Sequence, residues 1–113
     1  MQLRVLGAHN AETESTRLVC LLVDGVLALD AGALTSNLSA EAQRALAGVL
    51  ISHSHFDHVR DLPSLGINLY RQGTVDVYGP PAALEAVAGH LLNGVVYARY
   101  HETPTAEAPA LGS

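Results

Sequence analysis

Val49-Leu50-Ile51 runs without a break into Ser52-His53-Ser54-His55-Phe56-Asp57-His58. The first three residues are apolar with no alternation, as in a short strand buried on both faces of a sheet. The next seven hold three of the chain's six histidines and one aspartate. The junction therefore demands a central strand whose C-terminal end opens onto a polar, ligand-rich edge. Layered α/β sheets collect ligands at that edge.

The rest of the chain supplies the layers. Residues 2–6 read as a strand closed by Gly7, and residues 8–16 as a polar loop. Two apolar runs, 18–23 and 26–29, flank Asp24-Gly25, the sequence signal of a hairpin. The second run ends at Asp30-Ala31-Gly32. Ser39 is a plausible N-cap for a helix through Leu46. Leu62, Leu65 and Leu69 mark one face of a second helix, with Pro63 tolerated in its first turn. Val75-Asp76-Val77-Tyr78 alternates as a strand does. Gly79-Pro80-Pro81 opens a third helix with Leu84, Val87, Ala88, Leu91 and Leu92 on one face. Residues 95–98 suit a short strand or an extended segment. Residues 103–113, with two prolines and no regular period, read as a loop or a frayed end.

Side chains alternate along an extended segment, so His53 and His55 point the same way. Asp57 and His58 are adjacent and need a turn in the chain before both can face one site. A strand running into a loop and then a helix provides it. His53 and His55 can then serve one ion, and Asp57 and His58 a second. Imidazole and carboxylate suit Zn2+, and also Mn2+ or Fe2+. Two such ions ~3.5–4 Å apart can hold a hydroxide and polarise a phosphoryl or carbonyl oxygen. Asp57, as ligand or acceptor, could orient that hydroxide. Of the other histidines, His9 lies in the first loop and could approach the site, His90 flanks the third helix, and His101 falls in the exposed tail.

The pattern H-x-H-x-D-H after a buried strand resembles the metallo-β-lactamase superfamily, whose members are mostly binuclear metallohydrolases. Leu27-Ala28-Leu29-Asp30-Ala31-Gly32 is similar to the superfamily's earlier strand ending in Asp and Gly. Read from the residues, Asp30 caps a turn or supports the site; the resemblance implies the second. Residues 50–69, with Asp61-Leu62-Pro63 and Asn68, resemble the class III 3′,5′-cyclic-nucleotide phosphodiesterases of this superfamily. Residues 77–109 resemble the same family, with His90 and Asn93 at its His-x-x-Asn. Tyr97-Ala98-Arg99 stands where that family usually has Trp-Pro-Asp.

The resemblance implies an α/β fold, the first half of an αββα sandwich, with a mixed sheet and helices on one face. Residues 1–102 would form that half and residues 103–113 the tail. The resemblance also implies a site of two metal ions, Zn2+ foremost, with His53, His55, Asp57 and His58 as ligands, Asp57 as the catalytic group and Asp30 behind them. The family's later ligands, a further His, a bridging Asp and a final His, have no counterpart in these 113 residues. The expected activity is hydrolysis of a small-molecule phosphodiester, a cyclic nucleotide. Other expectations are a non-catalytic metallo-β-lactamase-like interaction module, or a ribonuclease, lactonase or thioesterase of the same superfamily. Asp61, where many such members have Gly, leans away from the last three.

Composition sharpens the partners. The chain is 49% hydrophobic and 15% charged, with a net charge of −5, which suits one domain with a packed core. All six basic residues are Arg and none cluster, so duplex nucleic acid is a poor partner. Met1-Gln2-Leu3-Arg4-Val5-Leu6-Gly7 lacks the basic start and long apolar stretch of a leader. The longest apolar run is far short of the ~20 residues that span a bilayer. Cys20, the single cysteine, reads as a buried core residue. The expectation is a cytoplasmic protein without a membrane partner. A half sandwich leaves one sheet face uncovered, so a homodimer through an exposed apolar face is also expected.

Overall fold

The computed structural model describes residues 1–112. Asp24 and Gly25 take φ of 52° and 73°, the left-handed pair of a tight turn closed by Val26 N donating to the Val23 carbonyl at 3.1 Å, in a connection of Asp24, Gly25 and Val26. The turn joins β2 (Cys20–Val23) to β3 (Leu27–Leu29) in antiparallel register, Leu21 opposite Leu29 and Leu22 opposite Ala28. β1 (Leu3–Gly7) lies antiparallel on the far side of β2. β4 (Gly48–Leu50), β5 (Val75–Tyr78) and β6 (Leu111–Gly112) then add in parallel. The result is one mixed sheet in the order β1-β2-β3-β4-β5-β6. β4 is interior in the strand order. Its unbroken apolar sequence predicts burial on both faces, but Val49 is buried while Leu50 is 40% exposed, because helices cover only one face.

Parallel neighbours need crossovers, and helices supply them. α1 (Ala40–Arg44) starts at Ser39, whose Oγ accepts from Ala42 N at 3.1 Å. This is the cap that its sequence signals. α2 (Phe56–Val59) and α3 (Leu62–Leu69) carry the chain from β4 to β5. α3 buries Leu62, Leu65 and Leu69, the stripe read from the sequence, along with Pro63 in its first turn. α4 (Pro81–Ala86) runs on into a π-helical turn, Val87–Leu91.

The buried residues of these helices join Cys20, Leu22, Ala28, Val49, Val75 and Val77 of the strands in a single core. The strand residues that alternate with them, Gly48 apart, are half-buried or exposed. The chain is thus a mixed α/β fold with helices covering one face of the sheet, as expected.

Three further expectations need correcting. The segment 103–113 is not a frayed end through its described part. Leu111 pairs with Val75, donates to the Tyr100 carbonyl at 2.9 Å, and is buried with Ala110. Its two-residue strand is too short to show a period, and the neighbouring prolines hid it. Residues 95–98 form no strand; Val95 and Val96 stand out in solvent. His101, expected on the surface, is only partly exposed. Burial lowers its pKa, and Arg99 beside it adds to the effect.

Candidate metal centre

The site forms where β4 leaves the sheet. Ile51 donates to the Tyr78 carbonyl at 2.7 Å and is buried. From Ser52 onward the chain rises off the C-terminal edge. His55 stays extended, with φ −63° and ψ 146°, and α2 begins at the next residue. The helix is the turn that Asp57 and His58 need: in its first turn, adjacent residues rotate by about 100° instead of 180°, and both can face the same space.

His53, Asp57 and His58 each offer one ligand atom, and these atoms lie within 4.8 Å of one another. The His53 and His58 rings sit 4.0 Å apart between centroids. His58 Nε2 is 3.2 Å from Asp57 Oδ2. The grouping differs from the sequence pairing. His55 packs edge-on against His53 at 4.8 Å between centroids but lies outside the three-residue group. Among the described residues, the group includes none of His9, His90 or His101. His90 instead lines a cavity of about 200 Å³ with Ser54 and Phe56.

Behind the histidines stands Asp30, nearly buried. It takes φ of 63°, a left-handed conformation that aspartate tolerates better than most residues. Its N–H donates to the Leu50 carbonyl at 2.7 Å. The end of β3 is thereby fastened to the end of β4. Its side chain accepts from Ser52 N at 2.8 Å and from Ser52 Oγ at 3.0 and 2.9 Å. His58 Nδ1 lies 2.8 Å from Asp30 Oδ2. A carboxylate on one imidazole nitrogen fixes the ring and leaves the other nitrogen for a metal.

Three further residues hold this arrangement. Gly32 passes so close to α2 that an added Cβ would overlap the Asp57 carbonyl oxygen. Ala31 N donates to the His58 carbonyl at 2.7 Å. Asp61, also buried, accepts from Leu34 N at 2.6 Å, from Thr35 N at 3.1 Å and from Arg60 Nε at 3.1 Å. It closes the loop that follows Asp30. Ser52 was not singled out in the sequence. Its signal was its place, a hydroxyl residue directly before the first histidine.

The donor set suits a divalent metal on chemical grounds. Two imidazoles and a carboxylate converge, one ring is oriented from behind by Asp30, and the edge is open, since His53 is exposed and Asp57 and His58 are half-buried.

Residues 20–111 match the model of the beta-lactamase superfamily domain. The chain belongs to that superfamily. Among solved structures it is similar to unliganded yeast PDE1, with a TM-score of 0.72 at 16% sequence identity. The match covers 89% of this chain and 47% of that one, so this chain spans about half the length of its structural relative. At that identity the likeness is one of fold. No curated protein matches the chain.

Proposed function

We propose that this chain carries one half of a metal-dependent phosphodiesterase centre whose substrate is a 3′,5′-cyclic nucleotide. The convergence of His53, Asp57 and His58 at the end of β4, with Asp30 behind them, carries the reading. His53, Asp57 and His58 would hold the metal, Zn2+ foremost, with Mn2+ or Fe2+ as substitutes, and His55, packed edge-on against His53, would be a fourth ligand. When bound there, a divalent ion would supply Lewis acidity toward the phosphoryl oxygens and would lower the pKa of a water toward neutrality. Asp57 ligates or accepts a hydrogen bond from the attacking water. Asp30 keeps His58 in the orientation that frees Nε2. The Asp61-Leu62-Pro63 sequence and the His90/Asn93 pair support the cyclic-nucleotide substrate over RNA, lactone or thioester.

A catalytic zinc is normally held by three protein ligands with one position left for water. Three ligand atoms gather on this edge, enough for one ion. A second ion needs ligands from elsewhere. The outward sheet face supplies a means, since its apolar residues favour pairing with a second copy of the chain. The other reading, a metal-binding module without catalysis, draws on the 47% coverage of the structural relative. No helix among the described residues is long and apolar enough to cross a membrane.

Elemental analysis after Zn2+ or Mn2+ loading tests the centre. We expect at least one ion per chain, reduced to a trace in the His53→Ala/Asp57→Asn double variant. Unchanged stoichiometry in that variant refutes the ligand assignment. Hydrolysis of a cyclic nucleotide by the loaded protein, with no turnover of RNA, lactone or thioester, then supports the substrate. A loaded protein that turns over none of them favours the non-catalytic module.

A further inference from the structure

Ser52 sits at the meeting point of Asp30 and the two histidines that converge. Its Oγ lies 3.0 and 2.9 Å from the two oxygens of Asp30, 3.0 Å from Nδ1 of His53 and 3.4 Å from Nδ1 of His58. A serine hydroxyl has one proton to give and two lone pairs to receive with. A carboxylate has only lone pairs, so the hydroxyl proton goes to Asp30. The oxygen can then only accept from His53. The proton of a neutral His53 ring must therefore be on Nδ1, and Nε2 is the nitrogen with the free lone pair.

The His58 ring reaches the same state by a shorter route. Its Nδ1 lies 2.8 Å from Asp30 Oδ2, well inside donor distance, while Nε2 faces Asp57 Oδ2 at 3.2 Å; the shorter contact takes the proton of a neutral ring, and the 3.4 Å approach to Ser52 is secondary. One carboxylate thus orders two imidazoles, His58 directly and His53 through a hydroxyl. We infer that Ser52 is a positioning residue, which relays the acceptor character of Asp30 to His53 and sets that ring to offer Nε2 to a metal. The inference deepens the metal-centre reading and rests on it for its purpose, although the tautomer is a property of the metal-free chain.

The consequence is chemical as well as geometric. In water, a neutral imidazole favours the proton on Nε2. Without the Ser52 hydroxyl, His53 has no acceptor at Nδ1 and reverts to that form, with its lone pair on the wrong nitrogen. A metal then has to displace a proton or turn the ring. Loss of such an outer partner typically lowers metal affinity 10- to 100-fold.

The test uses the full chain, stripped of metal with a chelator, at about pH 8, above the ordinary imidazole range. Two-bond proton–nitrogen NMR correlations of the histidine rings distinguish the two tautomers, and a His53→Gln spectrum assigns the signal. We expect the Nδ1–H pattern for His53 in the parent chain, the Nε2–H pattern in Ser52→Ala, and the parent pattern again in Ser52→Thr, which keeps the hydroxyl. Zn2+ titration should show affinity 10- to 100-fold weaker in Ser52→Ala and restored in Ser52→Thr. An Nε2–H pattern in the parent spectrum overturns the inference by itself, whether or not any variant folds. A Ser52→Ala chain with changed tautomer and unchanged affinity also overturns the positioning role. If the parent shows the Nδ1–H pattern and binds no Zn2+, the metal-centre reading fails while the hydrogen-bond relay stands.

Discussion

The two faces of the sheet are built from the same strands and much the same residue types, yet only one is covered. In register across β2, β3, β4 and β5 run Leu22, Ala28, Val49 and Val77, between 0% and 6% exposed. One residue along, Val5, Leu21, Leu29, Leu50 and Tyr78 form a parallel row across five strands. In that row Val5, Leu50 and Tyr78 are 59%, 40% and 48% exposed. The buried apolar residues of α2, α3 and α4 share one core with the first row. Hydrophobicity does not separate the rows; coverage does. A central strand that is apolar on both faces suits a sheet covered on both sides, and an exposed apolar row of this kind marks a contact surface.

The largest effect should come from placing a charge on each face in turn. Val49→Asp puts a carboxylate where nothing can pair with it. It should cost about 4 kcal/mol or more and leave the chain unfolded. Leu50→Asp, the adjacent residue in the same strand, points to the uncovered face. It should keep the fold within about 1 kcal/mol and raise solubility. Urea denaturation followed by circular dichroism measures both. Equal loss in the two variants would erase the distinction between the faces.

A smaller effect concerns what the uncovered row touches. If a second copy lies on it, the parent chain sediments as a dimer at micromolar concentration. The Leu50→Ser/Tyr78→Ser double variant should then weaken association at least tenfold, since two exposed apolar side chains leave the contact. Sedimentation velocity over a concentration series gives the answer. A parent chain that stays monomeric removes the second copy as the occupant of this face.

The contrast between faces also shows what the sequence made legible. Val49-Leu50-Ile51 signalled an interior strand through unbroken apolarity, and Asp24-Gly25 signalled the hairpin through the only conformation that suits it. The stripe of Leu62, Leu65 and Leu69 located the covering helix. These signals are local, carried within a few residues. The pairing of Leu111 with Val75 was illegible because a two-residue strand has no period and its partner lies 36 positions away.

In the site, the four ligand candidates were legible from spacing, while their grouping was not. Whether His53 meets His55 or His58 depends on where α2 begins, a boundary that sequence places poorly. Asp30 was legible as a carboxylate at a strand end. That its oxygens reach both Ser52 and His58 depends on the parallel pairing of β3 with β4, a long-range fact.

The gentlest probe of the two faces is a thiol on each. Cys20 lies on the covered side with no exposed surface, and burial pushes its pKa up to about 12. At pH 8 the native chain should therefore resist a thiol-alkylating reagent, because the thiolate is the nucleophile and neither charge nor access is available. In denaturant the same residue should label fully. A Leu50→Cys variant offers a second thiol on the open face, and it should label at least 100-fold faster than Cys20 under native conditions. Because the folded thiol holds its proton to higher pH than the unfolded one, its contribution to stability is full below the ordinary thiol range. That contribution then fades as pH rises toward 12, so alkaline unfolding should be milder in Cys20→Ala than in the parent. Mass spectrometry of the labelled chain reads the rates. If a dimer covers the open face, the Leu50→Cys rate should fall as protein concentration rises while the Cys20 rate stays fixed. A concentration-independent rate at both positions would leave the outward row bare in solution.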